Sequence, residues 1–314
     1  MHQHVAENIY NRPWLISDCP SGRAALQQLF SLDELPKTAS TGRIEADGSD
    51  LSCPFFVQRE PSTIDVNGIG HIHVKGILAQ GLSPVQKLIG NTDIRDVQAE
   101  IAALVAQGAK GLLLCIDSPG GGIQGTQELA DTIADTALCI PVYVFSDSQV
   151  ASAAYWIAAG ASKIICTKTA EVGSIGVFQA WIDRSVQWEQ EGIASTPVIN
   201  TGGNLKGMYL FPALSDAHRA ELQRQVDGIF NLFSTFVTEM RALYGATVPS
   251  TAMQGQSFIG LEALPNGLVD MIGSKQEAYE ALLGEIEFDA TPAVEPSTED
   301  NSTSVNVATP SPVS

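Results

Sequence analysis

The feature that most restricts the fold is a short apolar run, Leu112-Leu113-Leu114-Cys115-Ile116, that opens at Gly111 and is closed by Asp117-Ser118-Pro119-Gly120-Gly121-Gly122. A strand without a polar face has to be covered on both sides, and a parallel sheet flanked by helices supplies that cover. The neighbouring segments agree. Gly68 to Ile77 alternates as a strand, Thr92 to Ala106 carries apolar residues at helical spacing, and Gly108 stands where a helix C-cap belongs. The succession then recurs: Gln127 to Leu138 reads as a helix, Pro141 to Phe145 as a strand, Ala153 to Ala161 as a helix of small residues and Lys163 to Cys166 as a strand. This order predicts an α/β domain wound with right-handed crossovers. Further helices are expected over Trp181 to Gln190, Ser215 to Leu243 and Lys275 to Leu283, with a strand over Thr196 to Ile199.

Composition divides the chain into three parts. Residues 1–60, broken by Pro13, Pro20, Pro36 and Pro54, are expected to form an arm that packs on the core or on a neighbouring subunit. Residues 61–284 make the ordered domain. Residues 285–314 lose Lys and Arg and fill with acidic residues, Pro, Ser and Thr, the composition of a disordered tail that solubilises, links or docks. Thirty-five acidic against 17 basic residues, a net charge of −18, disfavour phosphate backbones and anionic bilayers as partners. No stretch reaches the roughly 18 apolar residues of a spanning helix, and Met1 to Tyr10 is polar where a secretory signal would be basic and then apolar. The five cysteines, without a C-x-x-C pair, argue against a disulfide framework and a structural zinc site. A protein of the reducing cytoplasm is expected.

Two constellations bear on chemistry. The glycine turn Asp117 to Gly122 lies at the carboxyl end of a buried strand, where backbone N–H groups can approach a ligand and hold an oxyanion; the competing reading is a tight turn with no ligand. The second is Gln149-Val150-Ala151-Ser152-Ala153-Ala154-Tyr155-Trp156, which places Ser152 at a helix N-terminus, where the free N–H groups favour negative charge. Taken alone, a serine there is most often an N-cap. A nucleophilic serine needs a base, and no histidine falls between His73 and His218. His71 and His73 share one strand face but have no clustered Cys or carboxylate with them, so core or surface histidines are the favoured reading over a metal site. Lys206, in Thr201-Gly202-Gly203-Asn204-Leu205-Lys206-Gly207, is the remaining candidate, and it would serve as a base only if desolvation kept it neutral. Otherwise it is a solvated loop lysine.

In this order, the Asp117 to Gly122 turn, the Ala151 to Trp156 segment, Glu171-Val172-Gly173-Ser174-Ile175-Gly176-Val177 and the Gly203 to Lys206 loop resemble the S49 peptidases, the signal-peptide peptidase A-like serine proteases. Within that family the resemblance is to the bacteriophage head maturation or capsid assembly branch. It covers residues 60 to 285 and includes Gly260-Leu261-Glu262-Ala263-Leu264 to Gly267-Leu268-Val269-Asp270. The resemblance implies a crotonase-like, Clp protease-like ββα superhelix. It also implies Ser152 as nucleophile, Lys206 as general base, the N–H groups of Gly121 and Ala153 as oxyanion hole, and Ser174 in a supporting loop beside the site. Relatives form rings or bowls in which neighbouring subunits can share the dyad. Many have Gly-Gly after the serine where this chain has Ala153-Ala154, and an acidic or small residue after the lysine where it has Gly207.

The expected activity is therefore a Ser-Lys endopeptidase cleaving scaffold or capsid polypeptides in the host cytoplasm, without metal or organic cofactor. Two alternatives stand beside it: an acyl-CoA hydratase or isomerase on the same scaffold, and an inactive capsid assembly factor.

Overall fold

The computed structural model describes residues 14–16, 59–210 and 213–290. The expected N-terminal arm, apart from Trp14–Ile16 and residues 59–60, and the expected tail beyond Ala290 lie outside the described residues. The central sheet runs β13-β10-β8-β6-β3-β2. Its strands are β2 (Thr63–Ile64), β3 (Ile69–Lys75), β6 (Gly111–Asp117), β8 (Val142–Ser146), β10 (Lys163–Cys166) and β13 (Met271–Ile272). Every neighbouring pair is parallel except β2 with β3. Each new parallel strand is added on the same side as the one before, so right-handed crossovers bring the connecting helices to one face.

Those helices are α2 (Ile94–Ala106), α3 (Thr126–Ala137) and α4 (Ala153–Ala159). They pack on Ile72, Leu112, Leu114, Val142 and Val144 to form the main core. The opposite face, Ile69, Leu113, Tyr143, Phe145 and Ile165, is covered by α8 (Lys275–Ala290) through Ala278, Leu282 and Ile286. Consecutive leucines of the Leu112 to Leu114 run thus enter opposite cores, which is why that stretch holds no polar residue.

Between each central strand and its helix the chain makes a shorter strand. β4 (Leu78–Ala79), with α1 (Pro84–Leu88) and β5 (Thr92–Asp93) after it, precedes α2; β7 (Gly120–Gly122) precedes α3; β9 (Gln149–Ala151) precedes α4. This is the ββα superhelix expected. After β10 the fourth unit makes β11 (Glu171–Gly173) and then a long excursion before α6 (Asp216–Leu243). With β1 (Trp14–Ile16) and β12 (Ser257–Ile259), which leads into α7 (Gly260–Ala263), the short strands form two small sheets, β1-β7-β4-β5 and β12-β11-β9. A single bridge between Ser118 and Val150 joins their neighbourhoods among the described residues.

Local chemistry sets the helix ends. The Asp93 side chain accepts from the Arg95 N–H at 3.0 Å to begin α2. At its end Gly108, at φ 88°, lets Ala109 N–H reach Leu104 O and Gly108 N–H reach Val105 O, a Schellman closure.

Three expectations are corrected. α5 covers Ser185–Gln190 and does not begin at Trp181, because the Asp183 carboxylate accepts from the Ser185 N–H at 2.8 Å and starts the helix there. Thr196 to Ile199 is not a strand: Pro197 has no N–H to give a ladder, and Val198 is almost fully exposed. α8 runs to Ala290 and so includes Glu285, placed by composition at the start of the tail. Leu282 and Ile286 keep the helix on the sheet, and the Glu285 carboxylate accepts from Tyr143 Oη at 2.6 Å and Lys163 Nζ at 3.1 Å.

α6 is tied to the sheet by Arg241, which is fully buried. Its guanidinium donates to both Asp270 oxygens at 3.0 and 2.6 Å and to Gly267 O at 3.0 Å, while Asp270 also accepts from the Ile164 N–H of β10 at 2.7 Å. Burial opposes the Arg241 charge, and the bond to Asp270 outweighs it, holding the guanidinium above its ordinary pKa. Asp270→Ala leaves that charge buried without its partner, and we expect a loss of about 3 kcal/mol in the stability measured by urea unfolding.

Candidate active site

The strands that follow β6 and β8 are locked to one another before either reaches its helix. Ser118, fully buried, donates its N–H to Gln149 O at 2.8 Å and accepts the Ala151 N–H on its own carbonyl at 3.2 Å. Its hydroxyl donates to Gly76 O at 2.6 Å and accepts from the Gly120 N–H at 3.2 Å. One small polar side chain therefore ties the glycine turn to β3's end, and its backbone ties the turn to β9. Sequence reading included Ser118 in the turn and assigned it no part; its signal was a serine between a strand end and Pro-Gly.

Gly121 lies in β7, opposite Leu78 of β4. A Cβ at this position would collide with the Leu78 carbonyl, so the glycine is required for the two backbones to approach. α4 packs against β7, bringing its N-terminus to the same place.

Ser152 is the residue between β9 and α4, and its backbone sits at φ 54°, ψ −119°. Positive φ is rare for a non-glycine residue and costs on the order of 1–3 kcal/mol. The turn is enforced from both sides. The Ser152 N–H donates to Gly173 O at 2.7 Å, and β9 pairs with β11, Ala151 against Gly173. All of α4 is buried: Trp156 stacks on Phe233 of α6 at 4.6 Å, and Tyr155 Oη donates to Leu268 O at 2.9 Å.

The hydroxyl of Ser152 makes no capping bond, and its buried Oγ has no hydrogen-bond partner among the described residues. The N-cap reading therefore fails. A serine on a sharp strand-to-helix turn, its hydroxyl unengaged and the N–H of Ala153 opening the helix behind it, has the form of a nucleophile elbow. Ser174 shares the unusual backbone: it follows Gly173, sits at φ 51° and is buried, its N–H donating to Gln256 O at 2.9 Å. The strand register makes it the neighbour of Ser152 on β11.

Lys206 stands apart from this arrangement. It is exposed in a turn closed by its own N–H to Gly203 O at 2.8 Å, and Nε2 of the buried His218 on α6 contacts Asn204 O at 3.0 Å to anchor the loop. The glycines around it do not fold it into a cleft of its own chain. The excursion that carries it exposes Phe178, Val186, Ile193, Val198 and Leu205, and a cavity of about 590 Å³ opens between Val177, Phe178, Trp181 and Leu222. His71 and His73 each face a carboxylate, Asp65 and Glu60, at 3.0 Å. Among the described residues no group of three or more His, Cys, Asp or Glu is placed to hold a metal, and no helix is long and apolar enough to cross a membrane.

Residues 134–287 match peptidase family S49. That range takes in the Ala151 to Trp156, Glu171 to Val177 and Gly203 to Lys206 segments and begins after the Asp117 to Gly122 turn. Capsid assembly protease C of Escherichia phage lambda is 26% identical over 288 residues, covering 88% of this chain and 64% of that protein. Head-tail preconnector protein GP5 of an Enterobacteria phage is 28% identical, covering 89% and 56%, and a putative signal peptide peptidase SppA of Enterococcus faecium is 32% identical, covering 61% and 54%. The chain spans a little over half to just under two thirds of the length of these S49-like relatives. Among solved structures, a ClpP1 variant from Listeria monocytogenes is similar at a TM-score of 0.41 and 14% identity over 66% of this chain and 93% of that one. The ClpP catalytic domain from Plasmodium falciparum scores 0.35 at 12% identity, covering 66% and 86%.

Because the Gly121 position has no room for a side chain, Gly121→Ala is expected to push β7 away from β4 and lower the thermal unfolding midpoint. Gly122→Ala, whose Cβ meets nothing closer than 3.8 Å among the described residues, is expected to leave packing intact. Differential scanning calorimetry of the pair checks this.

Proposed function

We propose that this chain is a serine endopeptidase acting through a Ser-Lys dyad on capsid or scaffold polypeptides during phage head maturation. The observation that carries the reading is the buried, unpartnered hydroxyl of Ser152 on a strained strand-to-helix turn. The S49 match and the phage relatives support the substrate class. In this mechanism the Lys206 amine takes the Ser152 proton as Oγ attacks the scissile carbonyl, and the N–H groups of Gly121 and Ala153 receive the developing oxyanion. An acyl-enzyme forms, the amine leaves with the proton, and water then releases the acyl group. Losing one oxyanion donor typically costs about 10² to 10³ in turnover, so these backbone groups matter as much as the dyad. Acyl transfer of this kind calls for no metal or organic cofactor.

Lys206 is exposed within a single chain, whereas a lysine base works when neutral and desolvated. We assign its partner as Ser152 of a neighbouring copy, with the apolar residues of the 178–210 excursion supplying the contact and Ser174 steadying the amine. Burial against a second copy would remove water from the amine and favour its uncharged form.

Ser152→Ala and Lys206→Ala are each expected to abolish peptide cleavage with an unchanged circular dichroism spectrum. Wild-type cleavage is expected to rise with pH, because the neutral amine is the form that accepts the proton. Undiminished cleavage by Ser152→Ala removes the assignment. Labelling of Ser152 by a fluorophosphonate separates this reading from a hydratase, which needs no nucleophilic serine. Mixing the two inactive variants tests the sharing of the dyad: activity returns when each chain supplies the group the other lacks, and stays absent if Lys206 serves its own Ser152.

A further inference from the structure

We infer that the N-terminal strand β1 is an internal occupant of the edge on which substrate must lie, and that it holds the site closed to other polypeptides. The inference rests on the peptidase reading above and adds to it a named occupant and a form of control. β7 has two edges. One is taken by β4, with Leu78 against Gly121; the other carries β1, antiparallel, with Trp14 against Gly122, Leu15 against Gly121 and Ile16 against Gly120.

A peptide whose scissile carbonyl is to reach the Gly121 N–H has to run beside β7 as an added strand, and β4 leaves it one edge. β1 occupies that edge. Its register sets Leu15 directly across from the glycine assigned as oxyanion donor.

The character of the pairing suits an occupant that can leave. β1 is three residues long and faces three glycines, so β7 offers it no cross-strand side chains and the ladder consists of backbone hydrogen bonds. Those are the bonds any extended peptide would make, whatever its sequence. β1 is also the last strand of its sheet, so its departure unpairs no strand other than β7. Among the described residues the ladder is three pairs long, and so short a ladder is marginal by itself. β1 thus blocks by competition, and a substrate, or a change in the N-terminal segment, opens the site by displacing it.

The test compares wild type with full-length Leu15→Pro, which removes an N–H and disfavours the strand. The readout is the rate at which a fluorophosphonate probe labels Ser152, with Ser152→Ala as the blank. Leu15→Pro is expected to label roughly tenfold faster, the factor that accompanies a loss of about 1.4 kcal/mol of pairing. A synthetic peptide of residues 11–20 is expected to slow the variant back towards the wild-type rate. Leu15→Gly, which loosens the strand without proline, repeats the comparison at a smaller factor should the proline variant fail to fold. Equal labelling of wild type and both variants overturns this proposal and leaves the peptidase reading standing. Slower labelling together with a lowered melting temperature makes β1 a structural strand and also overturns it. Absence of labelling at Ser152 in every chain ends the peptidase reading, and this proposal with it.

Discussion

The candidate site depends on a backbone conformation that a serine does not adopt unaided. At φ 54° Ser152 carries a penalty of order 1–3 kcal/mol, and it persists because the elements on either side leave it no other course. β9 is fastened to β11 on one edge and to Ser118 on the other, and α4 is buried along its whole length with Trp156 against Phe233. The Ser152 N–H is spent on Gly173 O. With backbone and helix both fixed, the hydroxyl does not turn back to cap the helix it precedes, and it remains available. Ser174, at φ 51° beside it, marks a second departure of the chain from the same small sheet.

The winding of the fold explains why these departures meet. Because successive central strands are laid down in one direction, each unit turns out of the sheet beside the previous one, and the second strands β4, β7, β9 and β11 follow one another along one edge. A glycine strand from the second unit and a strained serine from the third therefore become neighbours without any long-range search. The edge of β7 that β4 leaves is taken by Trp14–Ile16, and in the proposed mechanism a substrate strand adds itself at the same edge.

The rigid and the exposed parts of the molecule divide along the same line. Core, elbow and glycine turn are buried and densely hydrogen-bonded. The excursion between β11 and α6, which carries Lys206, has one short helix and several bare apolar side chains. Its best internal anchor near the lysine is the contact of His218 with Asn204. In the proposed mechanism, a rigidly held Ser152 and a Lys206 on an exposed apolar surface are what a site completed by assembly requires.

Much of this was legible in the residues. The unbroken Leu112 to Ile116 run foretold a strand covered on both faces, and the apolar spacing over Thr92 to Ala106 and Ser215 to Leu243 placed the helices found at Ile94–Ala106 and Asp216–Leu243. The misreadings share a cause: each turned on a contact remote in sequence or on one hydrogen bond. Glu285 looked like the start of a tail because its composition is acidic, and it is helical because Tyr143 and Lys163 hold its carboxylate. Thr196 to Ile199 looked like a strand, but Pro197 has no N–H for a ladder and Val198 lies almost fully exposed. By itself the sequence determined the α/β periodicity, the order of the motifs and the glycines where backbones must touch, since these follow from local sterics and from which side chains water rejects. That Ser152 is strained and not a cap, that Ser118 stitches the turn to β9, that Lys206 faces outward and that Trp14–Ile16 lies along Gly120–Gly122 were decided in three dimensions, because each depends on which distant backbone group is left without another partner.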